Sequence, residues 1–390
     1  MLKDVFKDKK LLSLYLFYIS YFFAIGMTTY SGKFYGEIGL SNSQISLISA
    51  IPAFIALFVQ PVWGTFSDRA KYKRNVLTLA LVCAALCAFM VQPVVAWYIP
   101  LLLVLTLINT FTLPILPVGN AIAIEYTKET GHDFGPVRMM GTVGYQVIIL
   151  LAGFFFATSL NGLYTAYGAM LLVAAASTLL LPPVQGHQHG KEKLSFTVFF
   201  KDKSLLLLFC LVFLAQMCSQ FYLAFFSKHL GDLGINNATT GIITTLCVIL
   251  EIPFLFFGDK LMKKMSIWKW MWIGLIINAI RFLGLSVAKT PVPIVAFGIL
   301  SVGLMACFEF FPAIHLNKAV AKELRGTVQN TYTMIAFGAS RIIGALIGGF
   351  IADATSIATV FGINGSMLAI TAIVMTVPLL KRAKADTLRD

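Results

Sequence analysis

Charge is what this chain has least of. Only 12% of its 390 residues are Asp, Glu, Lys or Arg, about half the share of an ordinary soluble domain, and just 17 are acidic. A soluble globular protein is thereby excluded. Histidine is scarce as well: there are five, and the closest pair, His187 and His189, stands in a polar loop where solvated side chains are expected and a metal site is not. The six cysteines (Cys83, Cys87, Cys210, Cys218, Cys247 and Cys307) all fall inside apolar runs, which argues against a disulfide framework. No HExxH, no nucleophile elbow and no soluble catalytic stretch occurs, so no enzyme is expected. What fills the chain is apolar bulk, 58% of residues, with 33 Phe among them.

Apolar runs of roughly 20 residues, the length that crosses a bilayer, lie at about 11–36, 42–66, 75–95, 99–126, 134–158, 162–182, 204–229, 236–258, 267–288, 292–316, 326–352 and 356–380. An all-α membrane protein of twelve spanning helices is expected. The basic start followed by an apolar run after Lys10 resembles a signal peptide. That run is too long for one and ends without a small-residue cleavage site, so it reads as the first spanning helix. The net charge of +13 does not mark a nucleic-acid partner, because the basic residues are dealt out by loop. Of 30 Lys and Arg, 25 fall in the N-terminus, residues 67–75, 127–138, 183–203, 259–269 and 317–325, and the C-terminal tail. The alternate loops hold almost none. Both termini are therefore expected in the cytoplasm of a cell with this protein in its plasma (inner) membrane.

The stretch 60–74, QPVWGTFSDRAKYKR, where an apolar helix meets a dense basic turn, has a second copy. There EIPFLFF runs into Gly258, Asp259 and Lys260. The starts of the two helices match too, Gly39-Leu40-Ser41-Asn42 answering Gly234-Ile235-Asn236-Asn237. Together with the long polar loop 183–203, this repeat divides the chain into a six-helix bundle at 1–182, a cytoplasmic linker at 183–203 and a six-helix bundle with a basic tail at 204–390. Two pseudo-symmetric bundles of this kind are expected to hold a solute between them.

Gly64, Asp68, Arg69, Lys73 and Arg74 in that stretch resemble the cytoplasmic signature of the major facilitator superfamily, with Lys71 where the family has a second glycine. The resemblance implies a charged cytoplasmic gate made by these five residues, with Asp259 and Lys260 as its second copy. FGPVRMMGTVGY at 134–145 is similar to the fifth helix of the lactose permease family and its nucleoside:proton and phenylpropionate relatives. In that family an Arg of this motif hydrogen-bonds the sugar, a Trp seven residues on stacks against it and an acid on the fourth helix completes the contact. The matching positions are Arg138, Tyr145 and Asn120. The aromatic residue and the amide depart from the sugar pattern and leave sugar, nucleoside and aromatic acid all open. Glu309 stands where the family has its proton-coupling glutamate, preceded by Gly303 and Ala306 in place of a Lys and a His.

Independently of any family, Glu251, Arg281, Glu309 and Arg341 sit inside apolar runs, where a charge facing lipid costs roughly 2.5–3.5 kcal/mol. All four are expected to be buried, with their pairing open. An apolar helix disfavours a charged carboxylate, which suits Glu309 to bind and release a coupled proton. Glu251 with Arg281 forms either a second coupling group or a packing ion pair. Asn120, Gln146, Gln216 and Gln220 are the expected solute contacts, with Arg341 receiving an anionic group of the solute or neutralising Glu309. These residues point to a secondary transporter that imports a small polar or aromatic solute with protons by alternating access. It is expected to act as a monomer in the bilayer, with no cofactor and no metal. An exporter of the same fold is the first alternative, and a transport-dead sensor or scaffold the second.

Overall fold

A computed structural model of the chain describes residues 8–185, 203–251, 253–254, 261, 264–319 and 332–387. It is helical throughout these residues, and ten helices are long and apolar enough to cross a membrane. They run from Lys9–Glu37 to Ile357–Lys384, and Leu163–Thr178 is a shorter apolar helix beside them. The expected helix at 236–258 is described as Asn237–Cys247, followed by turns at 248–250. The linker from 186 to 202, with His187 and His189, lies outside the described residues. Among the described residues no group of His, Cys, Asp or Glu could hold a metal ion, and all six cysteines are free thiols.

The internal repeat is visible in the backbone. Gly39 (φ 82°) and Gly234 (φ 74°) both adopt the left-handed conformation that a side chain would strain, and a helix starts three residues after each, at Asn42 and Asn237. The first helix of the pair runs a little past its expected end at 66. It continues through Gly64 and Asp68 to Arg69, and a three-residue connection, 70–72, then leads to the next helix at Lys73.

The chain divides into two compact units, one of residues 1–40, 51–191 and 236–241, the other of 41–50, 192–235 and 242–390. Each takes in the start of one helix from the opposite half of the sequence. In unit 1, helix Lys9–Met27 packs on Phe134–Phe155 and Leu163–Thr178, and Lys73–Phe89 packs on Leu163–Thr178 and Tyr98–Thr112. Small residues make the approach possible: Ala80, Ala84, Ala85 and Ala88 are completely buried along one face of Lys73–Phe89. Residues 236–241 join this unit by a close crossing. A Cβ on Gly153 would lie 2.6 Å from Tyr30 Oη and 2.8 Å from the Asn237 carbonyl oxygen, and Asn237 Nδ2 donates to Phe156 O at 2.6 Å.

In unit 2, Ile267–Val287 packs along Ile357–Thr387, and Lys203–Asp232 packs on Ser340–Ala354. The start of Asn42–Arg69 is bound here by one carboxylate: Asp353 accepts from Asn42 N–H at 2.7 Å and Ser43 N–H at 2.8 Å. Two first-turn N–H groups with no intrahelical acceptor are thus satisfied from another helix. The outer faces are apolar, with Phe155, Val287, Val292 and Ile373 each more than 70% exposed, the pattern of helices bathed in lipid.

Candidate functional site

Among the described residues, each unit holds a polar centre formed by residues that the sequence singles out. In unit 1 it forms on the face of Lys9–Met27 where Tyr18 and Phe22, one turn apart, meet Phe134–Phe155. Tyr18 Oη donates to Asn120 Oδ1 at 2.6 Å, and Arg138 lies with its guanidinium carbon 4.5 Å from the centre of the Phe22 ring. The Phe134 ring meets Tyr18 edge-on. Tyr145 Oη shares a hydrogen bond with Thr29 Oγ1 at 3.2 Å. Two buried polar atoms have no protein partner, Arg138 Nη1 and Gln146 Oε1. A buried donor and acceptor left open are places that water or a solute must fill. The centre therefore offers aromatic faces, a cation, an amide and hydroxyls.

The centre of unit 2 is built around a distorted helix. After the short α-segment Ser301–Leu304 the chain winds into a π-helix at Met305–Phe310, which carries Glu309. π-Turns free backbone carbonyls and recur at functional sites. Here the Phe308 carbonyl accepts from Tyr332 Oη. Gln216 Nε2 donates to Glu309 Oε1 at 3.0 Å, and Gln216 is fully buried with its own Oε1 unpaired. Gln220 is buried one turn further along the same helix. Glu251 meets the Ser301 hydroxyl at 2.9 Å.

Arg281 is 1% exposed, yet among the described residues it has no carboxylate within salt-bridge distance. Its guanidinium carbon lies 4.2 Å from the Tyr222 ring centre and 5.2 Å from that of Phe282, and its Nε and Nη1 are unpaired. The ion pair with Glu251 is thus replaced by a stack on aromatic faces, a desolvated cation–π contact. Arg341 departs from expectation in the other direction: its side chain is exposed, at the start of Ser340–Ala354.

The basic turn after Asn42–Arg69 is tied to unit 1. Lys73 Nζ pairs with Glu125 Oε2 at 3.4 Å, and Arg74 Nη1 donates to Leu181 O at 3.0 Å. Gly64, Asp68 and Arg69 are exposed, and Asp259 and Lys260 lie outside the described residues. Tyr18, Phe22, Glu125, Tyr222, Ser301 and Tyr332 also take part in these contacts and are not among the residues that the sequence marks. Only the spacing of Tyr18 and Phe22 carried a signal, and it is the same spacing that lipid-facing aromatics show.

Similarity to known proteins agrees with this architecture. The MFS_1 like family profile matches residues 11–363. The chain is 25% identical to the maltose permease of Geobacillus stearothermophilus over 379 residues, covering 95% of this chain and 94% of that one. It is 23% identical to the sucrose permease of Escherichia coli over 308 residues, 71% of this chain and 70% of that one. The crystal structure of nucleoside transporter NupG superposes with a TM-score of 0.82 at 20% identity, covering 96% of this chain and 99% of that one, and so shows the same fold. A profile match over nine-tenths of the chain, permease relatives along its length and membrane-crossing helices converge: the chain belongs to the MFS_1 like family and is a multi-pass transporter of the major facilitator superfamily.

Proposed function

We propose that this transporter is a proton-coupled symporter that imports a small polar or aromatic solute across the plasma (inner) membrane by alternating access. Twelve spanning helices, in bundles at 1–182 and 204–390 joined by the linker 183–203, leave both termini in the cytoplasm, and the monomer functions without a cofactor. The single observation that carries the reading is the pair Gln216–Glu309. It is a carboxyl on a π-helical turn, held through one oxygen by a neutral amide, with no cation within salt-bridge distance among the described residues. A carboxyl held this way can be neutralised by a proton at little structural cost, because its other oxygen is free to carry the hydrogen. Loading the proton spares a half-buried negative charge, and unloading it restores one. That difference is what couples proton movement to the state of the carrier.

Solute recognition is assigned to Arg138, Asn120, Tyr145 and Gln146 in unit 1 and to Gln216 and Gln220 in unit 2. Sugars, nucleosides and aromatic acids are all expected substrates: the permease relatives named above carry maltose and sucrose in their names, and the structural neighbour is a nucleoside transporter. The test is the external pH of a lightly buffered suspension of de-energised cells, to which sugars, nucleosides and aromatic acids are added in turn. One solute should alkalinise the medium with wild type and not with Glu309→Gln. Alkalinisation that survives the substitution moves the coupling proton to another group. Solute passage without proton movement replaces the symporter by a uniporter or an exporter.

A further inference from the structure

The contact between Ser301 and Glu251 holds more information than a single hydrogen bond. Ser301 Oγ stands 2.9 Å from Glu251 Oε1 and also 2.9 Å from the Cys247 carbonyl oxygen. A hydroxyl has one hydrogen and cannot donate fully to two acceptors.

The Cys247 carbonyl has first claim on it. At this point the helix tightens into turns: Val248, Ile249 and Glu251 N–H bond to Thr245, Leu246 and Val248, each three residues back. Pro253, two residues on, brings no N–H of its own. The Glu251 N–H that a regular helix would aim at Cys247 O has therefore gone to Val248 O at 3.0 Å. A buried backbone carbonyl without a partner is costly. Ser301, which is 7% exposed, supplies the donor.

With its hydrogen committed to Cys247, Ser301 can meet Glu251 only as an acceptor. We propose that Glu251 carries a proton on Oε1 in this conformation, and that Ser301 is the positioning residue which holds that proton by accepting from Glu251 while donating to the Cys247 carbonyl. The charged and titratable groups around Glu251 come from several elements. Glu309 is the other acid within electrostatic reach. Arg281, the nearby cation, stacks on the Tyr222 face and stands within electrostatic reach of Glu251 with no salt bridge to it among the described residues. Tyr222 and Cys247 are the remaining titratable neighbours. The two acids of unit 2 are thereby distinguished: Glu309 accepts from an amide, and Glu251 donates to a hydroxyl.

The protonation of Glu251 stands on this geometry alone, and its use as a second proton of transport rests on the symport reading above. Infrared spectroscopy separates the two, because it needs no transport. The full chain in lipid at neutral pH should show, in the spectrum of wild type minus Glu251→Gln, the carbonyl stretch of a protonated carboxyl that shifts in heavy water. In Ser301→Ala this band should move to higher frequency or vanish, and Ser301→Thr, which keeps the hydroxyl, should return it to the wild-type position. No band in the difference spectrum, or a band that Ser301→Ala leaves unmoved, overturns the assignment. If Ser301→Ala does not fold, the Glu251→Gln difference and the unchanged band in Ser301→Thr still decide it.

A second arm reads the pH profile of solute uptake. Losing the acceptor weakens proton binding at Glu251, so Ser301→Ala should need about tenfold more protons for half-maximal uptake, one pH unit down, with Ser301→Thr close to wild type. A midpoint displaced upward would mean that Ser301 serves an ionised carboxylate, and would overturn the proposal. Failure of the Glu309→Gln test with the infrared band intact removes the symport reading and leaves the Glu251 assignment standing.

Discussion

Arg138 and Phe22 meet because a guanidinium that cannot be fully hydrated is best placed over a ring, 4.5 Å away here, with one N–H still to spend. Lysine keeps the charge but not the planar fork. Arg138→Lys should therefore weaken solute binding by about tenfold, on the order of 1–2 kcal/mol, read as the half-saturation of counterflow. An unchanged value would take Arg138 out of the binding site. A second residue acts on stability alone. Asp8 caps helix Lys9–Met27 by accepting from Lys10 and Leu11 N–H, and its other oxygen accepts from Tyr126 Oη at 2.5 Å. Burial raises the Asp8 carboxyl, but the hydrogen bonds from Tyr126, Leu11 and Lys10 outweigh it and leave it below its ordinary value. A carboxyl lowered by folding contributes stability at pH values above about 4 that is lost as the pH falls through its folded-state value. The Tm should thus decline on acidification below about pH 4, and Asp8→Asn should flatten that decline. Sequence patterning could single out Arg138, a cation within a recognisable motif. It could not single out Tyr18 or Tyr222, since an aromatic on a spanning helix looks the same whether it faces a guanidinium or an acyl chain.

Helices Asn42–Arg69 and Asn237–Cys247 begin alike, after a left-handed glycine, and their starts are anchored by different chemistry. At Asn42 the anchor is the Asp353 carboxylate; at Asn237 it is an amide on the Phe156 carbonyl together with the Gly153 crossing. Asp353→Ala leaves two first-turn N–H groups without that acceptor and should cost about 1 kcal/mol, seen as a lower Tm of the protein in detergent. Gly153→Ala pushes a methyl group onto the backbone oxygen of Asn237, which cannot rotate away. A loss of about 1–3 kcal/mol is expected from such overpacking, against near neutrality if the crossing were loose. The repeat was legible because both copies need a residue with positive φ at one place, and glycine answers that need visibly. The anchors were not, since each joins residues about 80 or 310 positions apart. The π-helix at Met305–Phe310 had no signal either: the hydroxyl that its Phe308 carbonyl meets, that of Tyr332, comes from 24 positions further along the chain.

Across the whole molecule the dominant force is the exclusion of apolar surface from water, and the orientation follows from where the cations lie. A green fluorescent protein fused at the C-terminus should fluoresce, and alkaline phosphatase fused there should be inactive, if that end is cytoplasmic; the reverse result would invert the topology. The sequence by itself determined that this protein lives in a membrane, that its chain repeats, and which loops hold the cations. These are properties of composition and order, summed over many residues, and no single contact can alter them. Tertiary structure alone decided which buried charge meets which partner. Arg281 went to Tyr222 rather than to a glutamate, Glu309 to Gln216 and Glu251 to Ser301. Helix tilt, a π-turn and a proline-loosened segment move side chains by several ångströms, and a hydrogen bond is made or lost within one.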